Sequence, residues 1–355
     1  MAGKKILVVD DSALIRKQLG DLFDRAGYDV GLAKHGQDAL EFIQAVDFDV
    51  VTMDINMPVM DGLTAVKEIM RIKPTPIVMV SSLTQDEADI TFEALEAGAV
   101  DYVPKPGTLS LDLARQEQEI LQKVAAAAAI PKSRLTIRRQ ATQKKMDLLK
   151  KKSQPKVVLD KVPERLVLIG ASTGGPGLIE EIVTQLPGDY PYPVCIVQHM
   201  PENFTGIFAK RLDKKAAVEV VEARQGDKLV AGKVIIGKGG RHLHFTKKAS
   251  GHLAVKLVPN TMNHFFCPSV DEMFCAATRV FDPKCIMAVE LTGIGDDGAD
   301  CMVKLRQGGA YTLAESEQTA VVYGMPKEAW ERGGAVKKLP FPEIVKEILT
   351  YGEQR

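Results

Sequence analysis

Short apolar runs rich in Val and Ile recur along this 355-residue chain, separated by stretches with helical spacing; a strongly basic segment interrupts the alternation once. Strands that alternate with amphipathic helices pack as a parallel sheet covered on both faces. In the first part, strands are expected at Lys5–Val9, Asp49–Met53, Ile77–Val80 and Val100–Val103, with a weaker one near Tyr28–Ala33. The helices between them are Ser12–Ala26, Gln37–Val46, Gly62–Ile72, Gln85–Ala97 and Leu109–Val124. A second alternating pattern starts at Glu164, with strands at Leu166–Ile169, Val194–Val197, Lys233–Ile236, His252–Val258 and Ile286–Leu291. Its helices are Gly177–Gln185, Phe204–Lys214, Val270–Val280 and Ala299–Arg306, and an antiparallel hairpin is expected around residues 232–258. The fold class is α/β twice over, the second sheet mostly parallel.

Charge marks the boundaries. Residues 1–130 hold 12 Lys/Arg and 21 Asp/Glu, a net −9; residues 131–161 hold 11 and 2, a net +9; the remainder is balanced. The expected organisation is a first domain at 1–125, a basic linker at 126–160 and a second domain at 161–355. Basic patches attract phosphate, but no helix-turn-helix or zinc-finger signature accompanies this one, so no specific nucleic acid is expected. No apolar run reaches the roughly 18–20 residues needed to cross a bilayer, and the first apolar stretch, Ile6–Val9, is too short for a signal-peptide core. A cytoplasmic protein with no membrane insertion is expected. The five cysteines form no CxxC pair and are read as buried free thiols.

In the first domain, chemistry collects at the strand ends. Asp10 and Asp11 follow the first strand, Asp54 the third, Ser81 the fourth and Lys105 the fifth. Ligands of such sheets bind at the carboxyl ends of the strands. Converging carboxylates suit Mg²⁺, and a hydroxyl and a lysine beside them suit phosphoryl transfer to an aspartate. With Asp54-Ile-Asn-Met-Pro-Val-Met-Asp-Gly62 and Tyr102-Val-Pro-Lys105-Pro, this part resembles the receiver domain of bacterial response regulators. The resemblance implies a flavodoxin-like, doubly wound five-stranded sheet. It also implies Asp54 as phosphoacceptor, Asp10, Asp11 and Asp54 as Mg²⁺ ligands, and Ser81 and Lys105 as phosphoryl contacts. Tyr102 falls at the aromatic switch position and reads equally as a core residue.

In the second domain, the segment from Leu166 to Gly177 reads as strand, glycine-rich turn and helix. It lacks the G-x-G-x-x-G of a dinucleotide site and the lysine of a Walker A loop. Gly170-Ala-Ser172-Thr-Gly174 fits a nucleophile turn, with Ser172 at a helix N-terminus where free N–H groups favour an oxyanion. A plain phosphate-binding or structural turn remains open at this point. Of the six histidines, His199 closes a strand and so lies at the carboxyl edge. His242 and His244 form an HxH pair read as exposed on an edge strand, since no further metal ligands stand at workable spacing. Asp296 and Asp297 stand in a Gly-rich loop before a helix. Either could orient an imidazole or cap that helix; Asp297 is taken for the first role and Asp296 as capping or exposed.

Gly170-Ala-Ser-Thr-Gly-Gly175, Gln198-His-Met-Pro201 and Thr292-Gly-Ile-Gly-Asp-Asp-Gly-Ala299 together resemble the CheB family of chemotaxis protein-glutamate methylesterases. A receiver domain joined by a linker is that family's architecture, and the resemblance spans essentially the whole chain. It implies a triad of Ser172, His199 and Asp297, with backbone N–H groups near Thr173 and Ile294 holding the oxyanion. Ile294 stands where methionine is expected; a backbone role is indifferent to that change, whereas a pocket-shaping side chain would alter substrate contact. The implied substrate is the glutamyl methyl ester of methyl-accepting chemotaxis receptors, with deamidation of receptor glutamines beside it. The implied phosphodonor is a chemotaxis histidine kinase, and no cofactor serves the esterase site. A receiver docked over the catalytic edge would block a receptor helix, so phosphorylation is expected to activate. The rival reading is a response regulator with a non-catalytic output that binds nucleic acid or acts as a receptor scaffold.

Overall fold

Five apolar runs in the first part become β1 (Lys5–Val9), β2 (Asp29–Ala33), β3 (Val50–Asp54), β4 (Ile77–Ser81) and β5 (Asp101–Pro104). The structure is a computed structural model that describes residues 3–82, 84–106, 113–132, 156, 158, 161–262 and 264–353. The five strands form one parallel sheet in the order β2-β1-β3-β4-β5. β3 and β4 are buried along their whole length, as central strands covered on both faces must be. The covering helices are α1 (Ala13–Arg25), α2 (Gly36–Ala45), α3 (Gly62–Ile72), α4 (Gln85–Ala97) and α5 (Leu113–Ala128). Ser12, His35, Asp61 and Thr84 cap the first four through side-chain acceptors, which satisfies N–H groups that have no partner within the helix. α5 runs through Ala128 and so carries most of the alanine run; the start expected at Leu109 and the bulk of the expected linker lie outside the described residues.

The chain divides into two compact units, Met1–Lys151 and Lys152–Arg355. The second contains β6 (Leu166–Ala171), α6 (Gly175–Gln185), β7 (Val194–Gln198), α7 (Glu202–Lys215), β8 (Glu219–Glu222) and β9 (Lys233–Ile236). There follow β10 (Arg241–Lys247), β11 (Leu253–Pro259), α8 (Val270–Thr278), β12 (Ile286–Glu290), α9 (Ala299–Gln307) and β13 (Tyr311–Glu315). α10 (Met325–Glu331), β14 (Lys337–Leu339) and α11 (Phe341–Glu353) complete it. Seven strands pair in parallel in the order β14-β13-β12-β6-β7-β9-β8. β6 therefore lies between β12 and β7, where the chain's direction of travel across the sheet reverses. That switch point is where ligands of open α/β sheets bind.

Two expectations are corrected. The antiparallel hairpin is β10–β11, a separate two-stranded sheet, while Lys233–Ile236 joins the parallel sheet. Leu243, Phe245, Leu253 and Val255 of the hairpin enter the core shared with α8 and α9, so burial draws it off the sheet plane. The cysteines are not all free: Cys275 on α8 and Cys301 on α9 form a disulfide with Cα atoms 5.3 Å apart, brought together by helix packing across 26 residues. Cys195 and Cys285 are free thiols, and Cys267 is not in a disulfide. Among the described residues no helix is long and apolar enough to cross a membrane.

Candidate functional site

In the first unit, the parallel register brings the strand-end residues together. Asp10, Asp11 and Asp54 each offer a carboxylate oxygen within 4.8 Å of the others. Lys105 Nζ lies 2.8 Å from Asp54 Oδ1 and 3.5 Å from Asp10 Oδ2. Ile55 N–H also donates to Asp54 Oδ1, which leaves the buried Asp54 Oδ2 without a hydrogen bond. Burial pushes the Asp54 carboxyl up to about 6, against the pull of Lys105. Gly62 is required here by close approach: a Cβ would stand 1.9 Å from the Asp54 carbonyl oxygen. Ser81 is buried, and its hydroxyl donates to Glu87 Oε2 at 3.0 Å. The reading of the sequence did not single out Glu87, which also accepts from Ser82 N–H and Asn56 Nδ2. Tyr102 is buried, with Lys123 Nζ 5.0 Å from its ring centroid.

In the second unit, Ser172 follows β6 and His199 follows β7, and the register Ala171↔Gln198 sets them side by side. The turn at Ser172 needs its glycines. Gly174 has φ +79°, and a Cβ on Gly175 would stand 2.1 Å from Gln198 Oε1. Pro176 occupies the first turn of α6, where its missing N–H costs nothing. Gln198 ties the two strand ends together: its Nε2 donates to Ser172 O at 2.9 Å and to His199 O at 3.2 Å. Asp297 arrives from the loop after β12, on the other side of β6. Its Oδ2 meets His199 Nε2 at 2.7 Å. An ionised carboxylate only accepts, so Nε2 carries the proton and Nδ1 remains as the basic nitrogen. Nδ1 is buried without a partner. No hydrogen bond joins Ser172 Oγ to it, and contacts of this kind commonly tighten only around substrate.

Asp297 accepts three further hydrogen bonds: from Val270 N–H at 2.7 Å, from Asp271 N–H at 3.0 Å and from Ser269 Oγ at 2.7 Å. Burial alone would raise this carboxyl, but these donors and His199 hold it below the usual carboxylate range. Asp297 thus sits on the N-terminus of α8, not of the helix it precedes, whose N-cap is Gly298. Asp296 is exposed and pairs with Arg332, which also holds Asp300 and Glu328. Beneath the site, Glu290 is fully buried; that burial, with Asp297 and Asp271 nearby, pushes its carboxyl well above the usual carboxylate range.

The N–H groups of the two loops are divided. Ser172 N–H is taken by Thr292 O and Gly293 N–H by Val322 O, whereas no described group accepts from Ile294 N–H. Thr292 Oγ1 donates to Thr173 O at 2.8 Å and so fastens the loops together.

A family model described as CheB methylesterase matches residues 167–348, and one described as response regulator receiver domain matches residues 6–114. The chain belongs to the CheB methylesterase family. It is 46% identical to "Protein-glutamate methylesterase/protein-glutamine glutaminase 2" of Carboxydothermus hydrogenoformans, covering 98% of this chain and 99% of that one. It is 42% identical to "Protein-glutamate methylesterase/protein-glutamine glutaminase 3" of Syntrophomonas wolfei, covering 97% and 98%. Among solved structures, the catalytic domain of CheB methylesterase from Thermotoga maritima superposes with a TM-score of 0.51 at 35% identity, covering 53% of this chain and 99% of that domain.

Two parts of this CheB-family site escape a sequence reading. Ser269 lies in a capping pattern before α8, its Oγ accepting from Glu272 N–H, and nothing local tells that it also binds a loop 28 residues later. The HxH pair is not exposed: His242 is buried and its Nδ1 accepts from Ser269 N–H, while His244 Nε2 lies 2.7 Å from Glu272 Oε2. His264 joins them, its Nε2 3.2 Å from Glu272 Oε1. The strand is an edge strand of its two-stranded sheet, but the expected exposure failed because α8 packs against that hairpin.

Gly293 offers a direct test of the loop geometry. A Cβ there would stand 2.1 Å from Met325 Sδ and 2.8 Å from Ser172 Cβ. Gly293→Ala is expected to lower ester hydrolysis by about tenfold or more and to lower Tm, overpacking typically costing about 1–3 kcal/mol. Thermal melts and turnover measured together check this; unchanged turnover would mean that the loop tolerates displacement.

Proposed function

We propose that Ser172, His199 and Asp297 form the triad with which this methylesterase hydrolyses glutamyl methyl esters of chemotaxis receptors, and that phosphorylation of Asp54 controls it. The observation that carries the reading is the 2.7 Å contact of His199 Nε2 with Asp297, one strand end away from Ser172. Ser172 Oγ attacks the ester carbonyl while His199 Nδ1 takes its proton. Asp297 stabilises the imidazolium through Nε2–H. Backbone N–H groups of Ile294 and Thr173 hold the oxyanion. The intermediate collapses to a glutamyl-serine ester as His199 returns the proton to the departing methanol. Water, activated by the same Nδ1, then releases glutamate and regenerates Ser172. With a receptor glutamine, ammonia leaves instead of methanol, which fits the second activity in the relatives' names. The test is methanol release from methylated receptor membranes by the wild type and by Ser172→Ala.

The receiver site fits a divalent cation. Three carboxylates converge, and Asp10 Oδ2 and Asp54 Oδ2 are buried without hydrogen bonds. Asp10, Asp11 and Asp54 would hold Mg²⁺, which supplies charge neutralisation for phosphoryl transfer. Asp54 Oδ2, the oxygen not engaged by Lys105 or Ile55, is the nucleophile toward phosphoryl from a chemotaxis kinase. Ser81 must exchange Glu87 for a phosphoryl oxygen, a change that carries the signal to the adjoining α4. With a small phosphodonor and Mg²⁺, the wild type should gain one base-labile acyl phosphate and Asp54→Asn none; labelling that survives in the variant would place the acceptor elsewhere.

A further inference from the structure

We infer that Phe266 is a positioning residue for the hydrolysis: packed face-on against the His199 imidazole, it fixes the ring orientation that reserves Nδ1 for Ser172. The inference rests on the triad reading above and adds to it a residue that no motif marks. The two rings lie with centroids 3.9 Å apart and planes 11° from parallel. The single contact of Nε2 with Asp297 fixes one edge of the imidazole, but the terminal torsion of a histidine is broad and leaves the ring free to tilt about that edge. A flat aromatic surface against one face removes that freedom and excludes water from it.

Phe266 is itself held in place. Phe265 packs edge-on against it, with centroids 4.8 Å apart and planes at 82°. Just upstream, Asn260 clasps His264 through two hydrogen bonds of 2.9 Å, Nδ2 donating to His264 O and Oδ1 accepting from His264 N–H. Just downstream, Ser269 Oγ donates to Asp297. One short segment, 266–271, therefore supports the face of the imidazole and, through Ser269, Val270 and Asp271, the carboxylate at its edge. Once His199 has taken the Ser172 proton it is a cation on an aromatic face, an arrangement that attracts. The gain is larger in the transition state than in the ground state, so it belongs in kcat and not in KM.

Asp297 is in contact with this ring, and Asp271 and Glu290 lie near Asp297. None is altered in the variants that test the inference. In the full-length chain activated by phosphodonor, Phe266→Leu should lose about tenfold in kcat with KM within about twofold, as expected for an interaction made in the transition state. Phe266→Tyr keeps the aromatic face and should stay within about twofold of wild type in kcat. A readout independent of activity is the NMR spectrum of the imidazole protons of His199, assigned by comparison with His199→Gln. The ring current of Phe266 should place them upfield in wild type and in Phe266→Tyr, and they should move downfield in Phe266→Leu.

Three results would overturn the inference. One is an unchanged kcat in Phe266→Leu, with or without a raised KM. Another is a folded Phe266→Tyr as slow as Phe266→Leu. The third is the absence of the upfield displacement in wild type, which decides the matter even where Phe266→Leu fails to fold. Failure of the triad reading looks different: Ser172→Ala would retain turnover while the His199 protons remained upfield.

Discussion

Ser172→Ala is expected to lower methanol release by about 10³–10⁶-fold, with fold and Tm unchanged, since removing a triad nucleophile leaves only the catalysis that binding and the oxyanion site supply. The side chain is small, and the turn around it does not depend on the hydroxyl. Ser172 N–H is held by Thr292 O, Ser172 O accepts from Gly175 N–H and Gln198 Nε2, and Ser172 Oγ makes no hydrogen bond among the described residues. The backbone should therefore stay in place, and the loss should fall on chemistry alone. His199→Ala should fall similarly, because the base is the same group for acylation and for hydrolysis of the acyl-enzyme. Near-normal turnover in folded Ser172→Ala would remove the covalent route and leave a water activated directly by His199 as the only use for that geometry.

The receiver half was legible because its chemistry is tied to secondary structure. In a parallel sheet, a residue that closes a Val- or Ile-rich run lies at the carboxyl edge wherever the strand falls in the order. Asp10, Asp54, Ser81 and Lys105 therefore had to converge. What stayed hidden was Glu87. It is the third residue of α4, and nothing in a helix's first turn tells that its carboxylate folds back to take Ser81 Oγ and Ser82 N–H.

The second half was legible to the same depth and no further. Ser172 and His199 stand at strand ends, and the paired register β6–β7 makes them neighbours. The partners of Asp297 other than His199 lie at the N-terminus of α8, 26 to 28 residues upstream, and that contact comes from how α8 packs against the loop after β12. Local patterning encodes the cap Ser269–Glu272 and is silent on the carboxylate that also uses it. The same packing hides the HxH strand behind α8 and joins Cys275 to Cys301. β13 and β14, which continue the sheet beyond β12, passed unnoticed: Tyr311–Glu315 has only two aliphatic residues and a closing glutamate, and Lys337–Leu339 has two lysines in three positions.

Asp297→Asn should be far more damaging than Asp296→Asn, although the two residues are adjacent and the change is the same. Each Asp297 oxygen accepts two hydrogen bonds, Oδ2 from His199 Nε2 and Val270 N–H, Oδ1 from Asp271 N–H and Ser269 Oγ. An amide has one oxygen. If that oxygen stays on the His199 side, the NH₂ group faces Asp271 N–H, donor against donor, at a cost of about 1–3 kcal/mol for the unsatisfied group. If the amide turns over, its NH₂ donates to His199 Nε2, the proton moves to Nδ1, and the nitrogen meant to take the Ser172 proton can no longer do so. The wrong tautomer in a triad lowers kcat by about 10⁴-fold. Asp296 faces solvent, and its partner Arg332 keeps Asp300 and Glu328 when Asp296 is neutralised. Exposed ion pairs contribute about 0–1 kcal/mol, so Asp296→Asn should stay within about fivefold of wild type by the same scale. Turnover and Tm measured on both variants decide the assignment: a crippled Asp296→Asn beside a nearly normal Asp297→Asn would give the imidazole to the other aspartate and break the link between α8 and the site.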